Sequence, residues 1–312
     1  MYKEELQKKN HDLLQNQFER ENIPDFIRTY FITLESSTSR ISYWSTIKKM
    51  LVWMQSHGFL EGQTLADITP ESISRIEYVH LIQYFTEEEA NGIARSTLYI
   101  RRKIFCSFWD YLVLMDSIPV QKNKARAVRR KKPQTDTRKR KCPTLSEIEQ
   151  MESNIAHKND DFVRIRNLSI LHVLLETGLR ESELANLDID DLYLNGGPWD
   201  ERSYIAILGK GCYRAEDKRP VLITRKAINA FQEWKKVRDT VEIPNETKAV
   251  FLNKNGKRLN EENIKAIFRN YSGTMTPHMC RHWYSTVMTP KWRDIFVSQQ
   301  LGHHTGNITK DV

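Results

Sequence analysis

The chain has 312 residues and a formal net charge of +8, from 48 Lys and Arg against 40 Asp and Glu. A chain of this length exceeds the usual size of one hydrophobic core, so we expect two domains. Seven Trp, twelve Tyr and twelve Phe exclude global disorder. No stretch approaches the roughly 18 apolar residues of a membrane-spanning helix, and the polar first residues exclude a signal peptide. We therefore expect a cytoplasmic protein without a membrane partner.

The first part of the chain is predicted to be helical. Residues 1–23 are polar with a weak helical pattern, and we assign them as an N-terminal leader. Helical spacing of apolar residues predicts helices over 24–35, from Thr38 to Gly58, over 77–89 and from Ser96 to about Leu112. Residues 24–120 are therefore predicted to form a compact helical domain. Arg101, Arg102 and Lys103 lie on the last helix, away from its apolar residues, and are candidate contacts for a polyanion such as DNA.

Basic residues are concentrated in the next segment, 121–143. Between Gln121 and Cys142 there are eleven Lys or Arg and one Asp, a local charge of +10 that leaves −2 for the remainder. The segment has little to bury, so it is predicted to be an extended linker that contacts nucleic acid and releases counterions. A solvated tether and a basic nuclear-targeting tract would have the same composition. The predicted DNA contacts are Arg129, Arg130, Lys131, Lys132, Arg138, Lys139 and Arg140.

A second domain is predicted over 144–312, mainly helical with a small antiparallel sheet. Thr144 and Ser146 precede an acidic turn that is typical of a helix start, and a further helix ends at Thr177-Gly178. Strand patterns follow at 187–194, 204–208 and 220–224, with Lys210 at the tip of a hairpin. Helices are then predicted over 225–237, 261–271, 277–287 and 292–300.

One motif in this domain combines a titratable group with a fixed cation. Thr276 and Pro277 are typical of the cap and first residue of a helix, which places His278 and Arg281 on one side of it. The guanidinium keeps its charge and suits a phosphate, whereas the imidazole can exchange a proton near neutral pH. The pair suits phosphoryl chemistry, although such a pair is more often a solvated surface feature.

Three further motifs give the pair its context. The run from Glu176 to Leu184 contains Arg180, the hairpin carries Gly209-Lys210-Gly211, and Leu301-Gly302-His303 follows some twenty residues after Arg281. In this order and spacing the chain resembles the tyrosine recombinases, the family of phage integrases and Xer-like recombinases. The resemblance extends from about Pro24 to the end of the sequence.

The resemblance implies a fold and a set of partners. The fold would be a two-domain, C-shaped clamp around double-stranded DNA, and the protein would associate with itself on DNA as a dimer or tetramer. The family uses no cofactor or metal and no small-molecule substrate. The catalytic residues that the resemblance implies are Arg180, Lys210, His278, Arg281 and His303.

The chemistry of these residue types agrees with the resemblance. Two guanidiniums and a histidine donor can stabilise charge on the nonbridging phosphate oxygens, and a hairpin lysine can protonate the leaving 5′ oxygen. Lys218 lies on the same loop as Lys210 and is the alternative for the proton donor. We interpret Glu183 as a structural residue that pairs within the domain.

The nucleophile is the point where the match fails. Family members place a tyrosine nine or ten residues after the box position of His303, and position 312 is Val. We therefore expect a family member that ends just before its tyrosine and binds DNA without recombining it. The alternative is a non-catalytic, integrase-derived regulator or accessory factor. Tyr284, close to Arg281, is predicted to pack in the core.

Other functions fit the sequence less well. Gly209-Lys210-Gly211 lacks the earlier Gly and the following Ser or Thr of a phosphate-binding loop. Cys106, Cys142, Cys212 and Cys280 have no paired metal-ligand spacing, which indicates reduced thiols and disfavours a zinc site with the nearby histidines. Cys280 is better explained as a small buried residue than as a nucleophile.

Overall fold

The computed structural model describes residues 2–129, 142–197, 201–209, 215–241, 247–292 and 294–302. In these ranges the chain is mainly α-helical with one three-stranded antiparallel sheet, which confirms that part of the predicted fold class. The chain divides into two compact units, Met1–Asp136 and Thr137–Val312, each with its own hydrophobic core. None of the described helices is long and apolar enough to cross a membrane.

The first unit is built from helices throughout its described part. They are α1 (Tyr2–Arg20), α2 (Asp25–Ile32), α3 (Ser37–Ser56), α4 (Pro70–Ser74), α5 (Tyr78–Ala90), α6 (Arg95–Leu114) and α7 (Lys124–Ala127). The Ser36 side chain accepts a hydrogen bond from the Ser39 amide at 3.4 Å and caps α3. Helices α3, α5 and α6 pack together and bury Trp44, Phe85 and Trp109.

The N-terminal residues differ from the expected leader. Residues 2–20 form α1, which packs along α3. Leu14 and Phe18 are four residues apart, and they are 2% and 0% exposed. The Phe18 ring meets Trp44 edge-on with their centroids 5.0 Å apart. Two large apolar side chains on one side of a helix are enough to make this polar segment part of the core.

The start of the basic linker is also ordered against the first unit rather than extended. Asn123 Nδ2 donates hydrogen bonds to the Cys106 carbonyl at 2.8 Å and to the Asp110 carboxylate at 2.7 Å. Arg126 pairs with the same carboxylate at 2.9 Å, and Ala125 is fully buried. These contacts hold α7 on α6. The sequence prediction missed them because the composition of the segment does not reveal the partners that an asparagine-capped turn supplies. Residues 130–141 lie outside the described ranges.

The second unit combines helices with the sheet. Its described helices are α8 (Leu145–Ala156), α9 (Asp161–Thr177), α10 (Glu181–Ala185), α11 (Arg225–Arg238), α12 (Glu261–Tyr271), α13 (Pro277–Met288) and α14 (Asp294–Leu301). Helix α9 packs against α8, α11 and α13 and forms the centre of the core. The predicted start of α8 is confirmed, since Thr144 and Glu147 cap each other's amides at 3.2 and 2.8 Å.

The sheet has the order β1 (Leu192–Tyr193), β2 (Tyr204–Leu208) and β3 (Lys218–Leu222). The predicted strand over 187–194 is reduced to two residues, because Ile189–Asp191 form a 3₁₀ turn in which the Asp191 carboxylate accepts from the Asp188 amide at 3.1 Å. Strand β3 begins at Lys218, two residues earlier than predicted. This start places Arg219 within the sheet, opposite Ile207.

Candidate active site

The turn between α9 and α10 presents Arg180. Gly178 ends α9 in the left-handed conformation, with φ of 64°, and a Cβ at this position would lie 2.8 Å from the Tyr284 ring. Only glycine meets both conditions. Arg180 is the N-cap of α10, and its amide donates to the Glu183 carboxylate at 2.8 Å. The Arg180 side chain is 27% exposed, whereas Glu183 lies beneath it at 3%.

Glu183 is surrounded by guanidinium groups from three different elements. Its carboxylate oxygens lie 2.9 Å from Arg180 Nη1, 3.6 Å from Arg219 Nη2 and 4.0 Å from Arg281 Nη1. The interpretation of Glu183 as a residue that pairs within the domain agrees with these contacts. Three positive charges face one negative charge, so the cluster has a positive excess that attracts an anion.

Arg281 is held below the surface by backbone carbonyls. Its side chain is 5% exposed, and its Nη1 donates to the Gly178 carbonyl at 2.8 Å. Its Nη2 donates to the carbonyl of Leu301 at the end of α14. Burial, together with the neighbouring charges of Arg180 and Arg219, lowers the pKa of Arg281 to about 10, so it remains a cation at neutral pH. These contacts fix its orientation in the absence of DNA.

His278 lies at the beginning of α13, where the sequence places it. Thr276 caps the helix by accepting from the Met279 amide at 3.4 Å, and Pro277 occupies the first helical position. His278 is exposed, and its ring meets the His282 ring edge-on with centroids 4.6 Å apart. The pair with Arg281 is therefore no solvated surface pair: one member faces solvent and the other reaches the Glu183 cluster.

Strand β3 joins the cluster to the end of α14. Arg219 Nη1 donates to the carbonyls of Gln300 at 2.7 Å and Gln299 at 3.3 Å. The Gln300 side chain in turn accepts from the Leu222 amide at 2.9 Å. Arg219 was not among the site residues predicted from the sequence, because its partners lie 36 and 81 residues away from it along the chain.

Two predicted catalytic residues, Lys210 and His303, lie outside the described residues. Lys218, the alternative proton donor, is described at the start of β3. Its ammonium group pairs with the Asp191 carboxylate, and the two side chains are 16% and 7% exposed. Lys218 is thus held by a buried carboxylate from the turn that precedes β1.

The predicted DNA contacts of α6 have different surroundings. Arg101 is 13% exposed and pairs with Glu88, while Arg102 donates to the Arg126 carbonyl at 3.0 Å and to the Val128 carbonyl. Lys103 is exposed and lies over the Tyr99 ring at 5.1 Å from its centroid. Arg129 is exposed at the end of the described part of the linker. Residues 130–140, which include the remaining predicted contacts, are not described.

Two residues near the site are buried. Tyr284 is 5% exposed beside Val297 and Leu301, and burial raises the pKa of its hydroxyl to about 12, so it stays protonated. Cys280 is fully buried, and burial raises the pKa of its thiol well above the usual range. Both agree with the packing roles expected from the sequence. Across the described ranges, no group of three or more His, Cys, Asp or Glu is placed to hold a metal ion.

The family to which this site belongs follows from comparison with known proteins. The family model described as the phage integrase family matches residues 144–311. The chain belongs to the phage integrase family. This match covers more than half of the chain and contains Arg180, His278, Arg281 and the Arg219 strand.

Curated relatives of this integrase family member are tyrosine recombinases named XerC. The protein of Proteus mirabilis is 28% identical over 257 residues, which cover 80% of this chain and 78% of the relative. That of Escherichia coli O1:K1 / APEC is 28% identical over 219 residues, covering 68% and 67%. The chain is therefore similar to Xer-like recombinases over most of its length.

Solved structures of family members share the fold. XerH recombinase bound to palindromic difH substrate has 20% identity and a TM-score of 0.64, covering 88% of this chain and 76% of XerH. A lambda integrase (75–356) dimer bound to a COC′ core site has 16% identity and a TM-score of 0.63, covering 91% and 95%. At these identities the likeness establishes the fold.

Proposed function

We propose that this chain is a site-specific DNA recombinase that lacks its nucleophilic tyrosine within residues 1–312, and that its second unit stabilises the transition state of strand cleavage. The observation that supports this proposal best is the pair of guanidinium groups of Arg180 and Arg281. The Glu183 carboxylate holds them together, with its oxygens 2.9 Å from Arg180 Nη1 and 4.0 Å from Arg281 Nη1. Two preoriented cations suit the nonbridging oxygens of one phosphodiester, where negative charge increases during attack. The exposed His278 adds a proton-transfer group at the start of the same helix that carries Arg281.

The proposed reaction is a transesterification. A tyrosine hydroxyl attacks the phosphorus, the Oη–P bond forms and the bond from phosphorus to the 5′ oxygen breaks. The tyrosine proton leaves through a base, for which we assign His278, and the departing 5′ oxygen takes a proton from an acid. The phosphate stays on the 3′ strand as a phosphotyrosyl diester, so its single negative charge and bond energy are conserved for rejoining.

Lys210 is our choice for the acid, with His303 as a further phosphate contact. The choice over Lys218 is supported by the ion pair of Lys218 with Asp191, because a lysine that neutralises a nearly buried carboxylate is costly to move or deprotonate. The residue type fits the role, since a hairpin lysine can donate to an alkoxide leaving group.

The DNA partner and its assembly are proposed from charge and from the relatives. XerH is bound to difH, and lambda integrase is bound to DNA as a dimer and, on a Holliday junction, as a tetramer. The local charge of +10 between Gln121 and Cys142 suits a polyanion. We propose that both units of this chain bind the same duplex, and that two or four copies assemble on the site.

The nucleophile decides between an enzyme and a DNA-binding regulator. Residues 1–312 have no tyrosine nine residues after His303, so we propose that this polypeptide binds its site without exchanging strands. Continued with a tyrosine at position 313, it should form a DNA adduct that survives denaturation. A non-catalytic regulator would bind the same DNA and form no adduct with either polypeptide.

The test begins with a duplex selected from a random library by residues 1–312. On this duplex, Arg281→Ala in the tyrosine-bearing polypeptide should slow adduct formation by about 100- to 1,000-fold while leaving affinity nearly unchanged. Arg164 is a matched control, because it pairs with Asp161 at 2.7 Å near the opposite end of α9. Arg164→Ala should leave the adduct rate unchanged. Equal rates for the Arg281 variant and its parent would refute the proposed role.

A further inference from the structure

Two arginines cap the last carbonyl groups of α14. Arg219 donates to Gln299 and Gln300, and Arg281 donates to Leu301. The last carbonyls of a helix have no intrahelical partner and lie at the negative end of its dipole, so guanidinium donors are well suited to them. The next residue, Gly302, has φ of 65°, and a Cβ there would lie 2.8 Å from Arg219 Nε. Arg219 therefore contacts the chain where it leaves α14.

The same Arg219 side chain reaches the Glu183 cluster. Its Nη2 lies 3.6 Å from the Glu183 carboxylate that also holds Arg180 and Arg281. Arg219 is 23% exposed, Glu183 is 3% exposed, and a planar guanidinium can serve a carboxylate and carbonyls at once through its fixed fork of donors. One side chain thus connects the cluster to the end of a helix from another part of the sequence.

Strand β3 makes this connection rigid. Arg219 is paired with Ile207 in the sheet, and the Leu222 amide of the same strand donates to the Gln300 side chain at 2.9 Å. Gln300 is thus held through its carbonyl by Arg219 and through its side chain by Leu222. Two separate bonds to one residue fix both the position and the rotation of the α14 end.

We propose that Arg219 is a positioning residue for strand cleavage, which locks the Glu183 cluster, strand β3 and the end of α14 into one body. In this way it sets where the end of α14 and Gly302 lie relative to Arg180 and Arg281. Arg219 acts through Glu183 and the α14 carbonyls and does not itself contact the phosphate. This role rests on the proposed function, because it presumes that Arg180 and Arg281 bind the phosphate at which the strand is cleaved.

The first arm of the test needs no DNA. In residues 1–312, Arg219→Ala and Arg219→Lys should both accelerate amide hydrogen exchange in α14, residues 294–301, while the exchange of α9 stays as in the parent. Lysine keeps the positive charge beside Glu183 but lacks the fork of donors that serves two carbonyls. The lysine variant therefore tests the locking contacts even if the alanine variant fails to fold. The control Arg164→Ala should leave α14 unchanged. Unchanged exchange in both Arg219 variants would overturn the locking role.

The second arm uses the polypeptide with a tyrosine at position 313. Arg219→Lys should retain affinity for the selected duplex and lower the rate of adduct formation by about 100-fold, a loss typical of groups displaced by about 1 Å. A neutral methylphosphonate at the cleaved linkage removes the charge that Arg281 neutralises. It should therefore restore much of the rate of Arg281→Ala and little of the rate of Arg219→Lys.

The outcomes separate this inference from the proposed function. Rescue of Arg219→Lys by the methylphosphonate to the same extent as Arg281→Ala would make Arg219 a phosphate contact and overturn the positioning role. A parental adduct rate in Arg219→Lys would overturn it as well. If the parent itself forms no adduct, the proposed function fails, and the exchange of α14 alone decides whether Arg219 locks the cluster to that helix.

Discussion

Replacing Glu183 by Gln should strongly destabilise the second unit. Glutamine keeps the shape and can still accept the Arg180 amide, but it removes the negative charge that faces three guanidiniums at 2.9, 3.6 and 4.0 Å. Each such pair is worth about 4 kcal/mol at an effective dielectric of about 20. The desolvation of the carboxylate and the mutual repulsion of the arginines offset much of this sum. We expect a net loss of about 3–5 kcal/mol, as for other buried pairs from which one partner is removed.

Native-state hydrogen exchange of the α9 amides measures this loss, because it reports on the second unit without interference from the first. Glu262 is a matched control, since it also faces two cations, Lys265 at 2.9 Å and Arg269 at 3.8 Å, with its side chain 68% exposed. Glu262→Gln should have a far smaller effect, because water screens exposed pairs. A loss below about 1 kcal/mol for Glu183→Gln would show that the cluster does not depend on its carboxylate.

A double substitution tests the repulsion within the cluster. In Glu183→Gln the three guanidiniums repel one another, so removing Arg219 as well should relieve part of the damage. The double variant should lose less stability than the sum of the two single variants, which is the signature of residues in contact. Additive losses would place Arg219 outside the electrostatic cluster.

Three other perturbations test separate parts of the chain. Neutralising Arg129 to Lys132 should make DNA affinity less dependent on salt. The slope of log affinity against log salt should fall by about 0.9 for each phosphate that the linker no longer neutralises. An unchanged slope would show that the linker connects the two units without contacting DNA. Arg102→Ala should leave that slope unchanged but speed proteolytic cleavage within residues 121–129, because the Arg126 and Val128 carbonyls lose their donor. A flattened slope would show that Arg102 itself contacts phosphate. His172 bonds to Glu152 at 3.0 Å, and burial, aided by Lys226, lowers the pKa of its imidazole from 6.5. Its folded-state pKa is depressed, so stability should fall as pH drops below about 6.5, and His172→Gln should remove that dependence as measured by thermal unfolding.

Local signals in the sequence predicted most helices of the second unit well. The caps at Thr144 and Thr276 and the glycine at 178 are read from neighbouring residues, and the corresponding helices start or end where expected. These features depend on hydrogen bonds within a few residues, which a single sequence displays directly.

Long-range contacts could not be predicted in the same way. The helix α1 is stable because Phe18 meets Trp44, and α7 is ordered because Asn123 reaches Asp110, but neither polar segment carries a strong pattern of its own. Arg219 was missed for the same reason, since its partners come from α10 and α14. The motif residues Arg180, His278 and Arg281 were predicted from spacing, whereas the burial of Arg281 depends on tertiary structure.

Anchoring residues 121–129 changes the reach of the tether between the two units. Thirteen residue steps join Arg129 to Cys142, a contour of at most about 45 Å, whereas a tether that was free from Gln121 would extend to about 70 Å. Whatever path residues 130–141 follow, the first unit and Cys142 are separated by at most about two-thirds of the distance that a segment free from Gln121 would permit. By holding residues 121–129, Asn123 and Arg102 limit how long a stretch of duplex the two units can span.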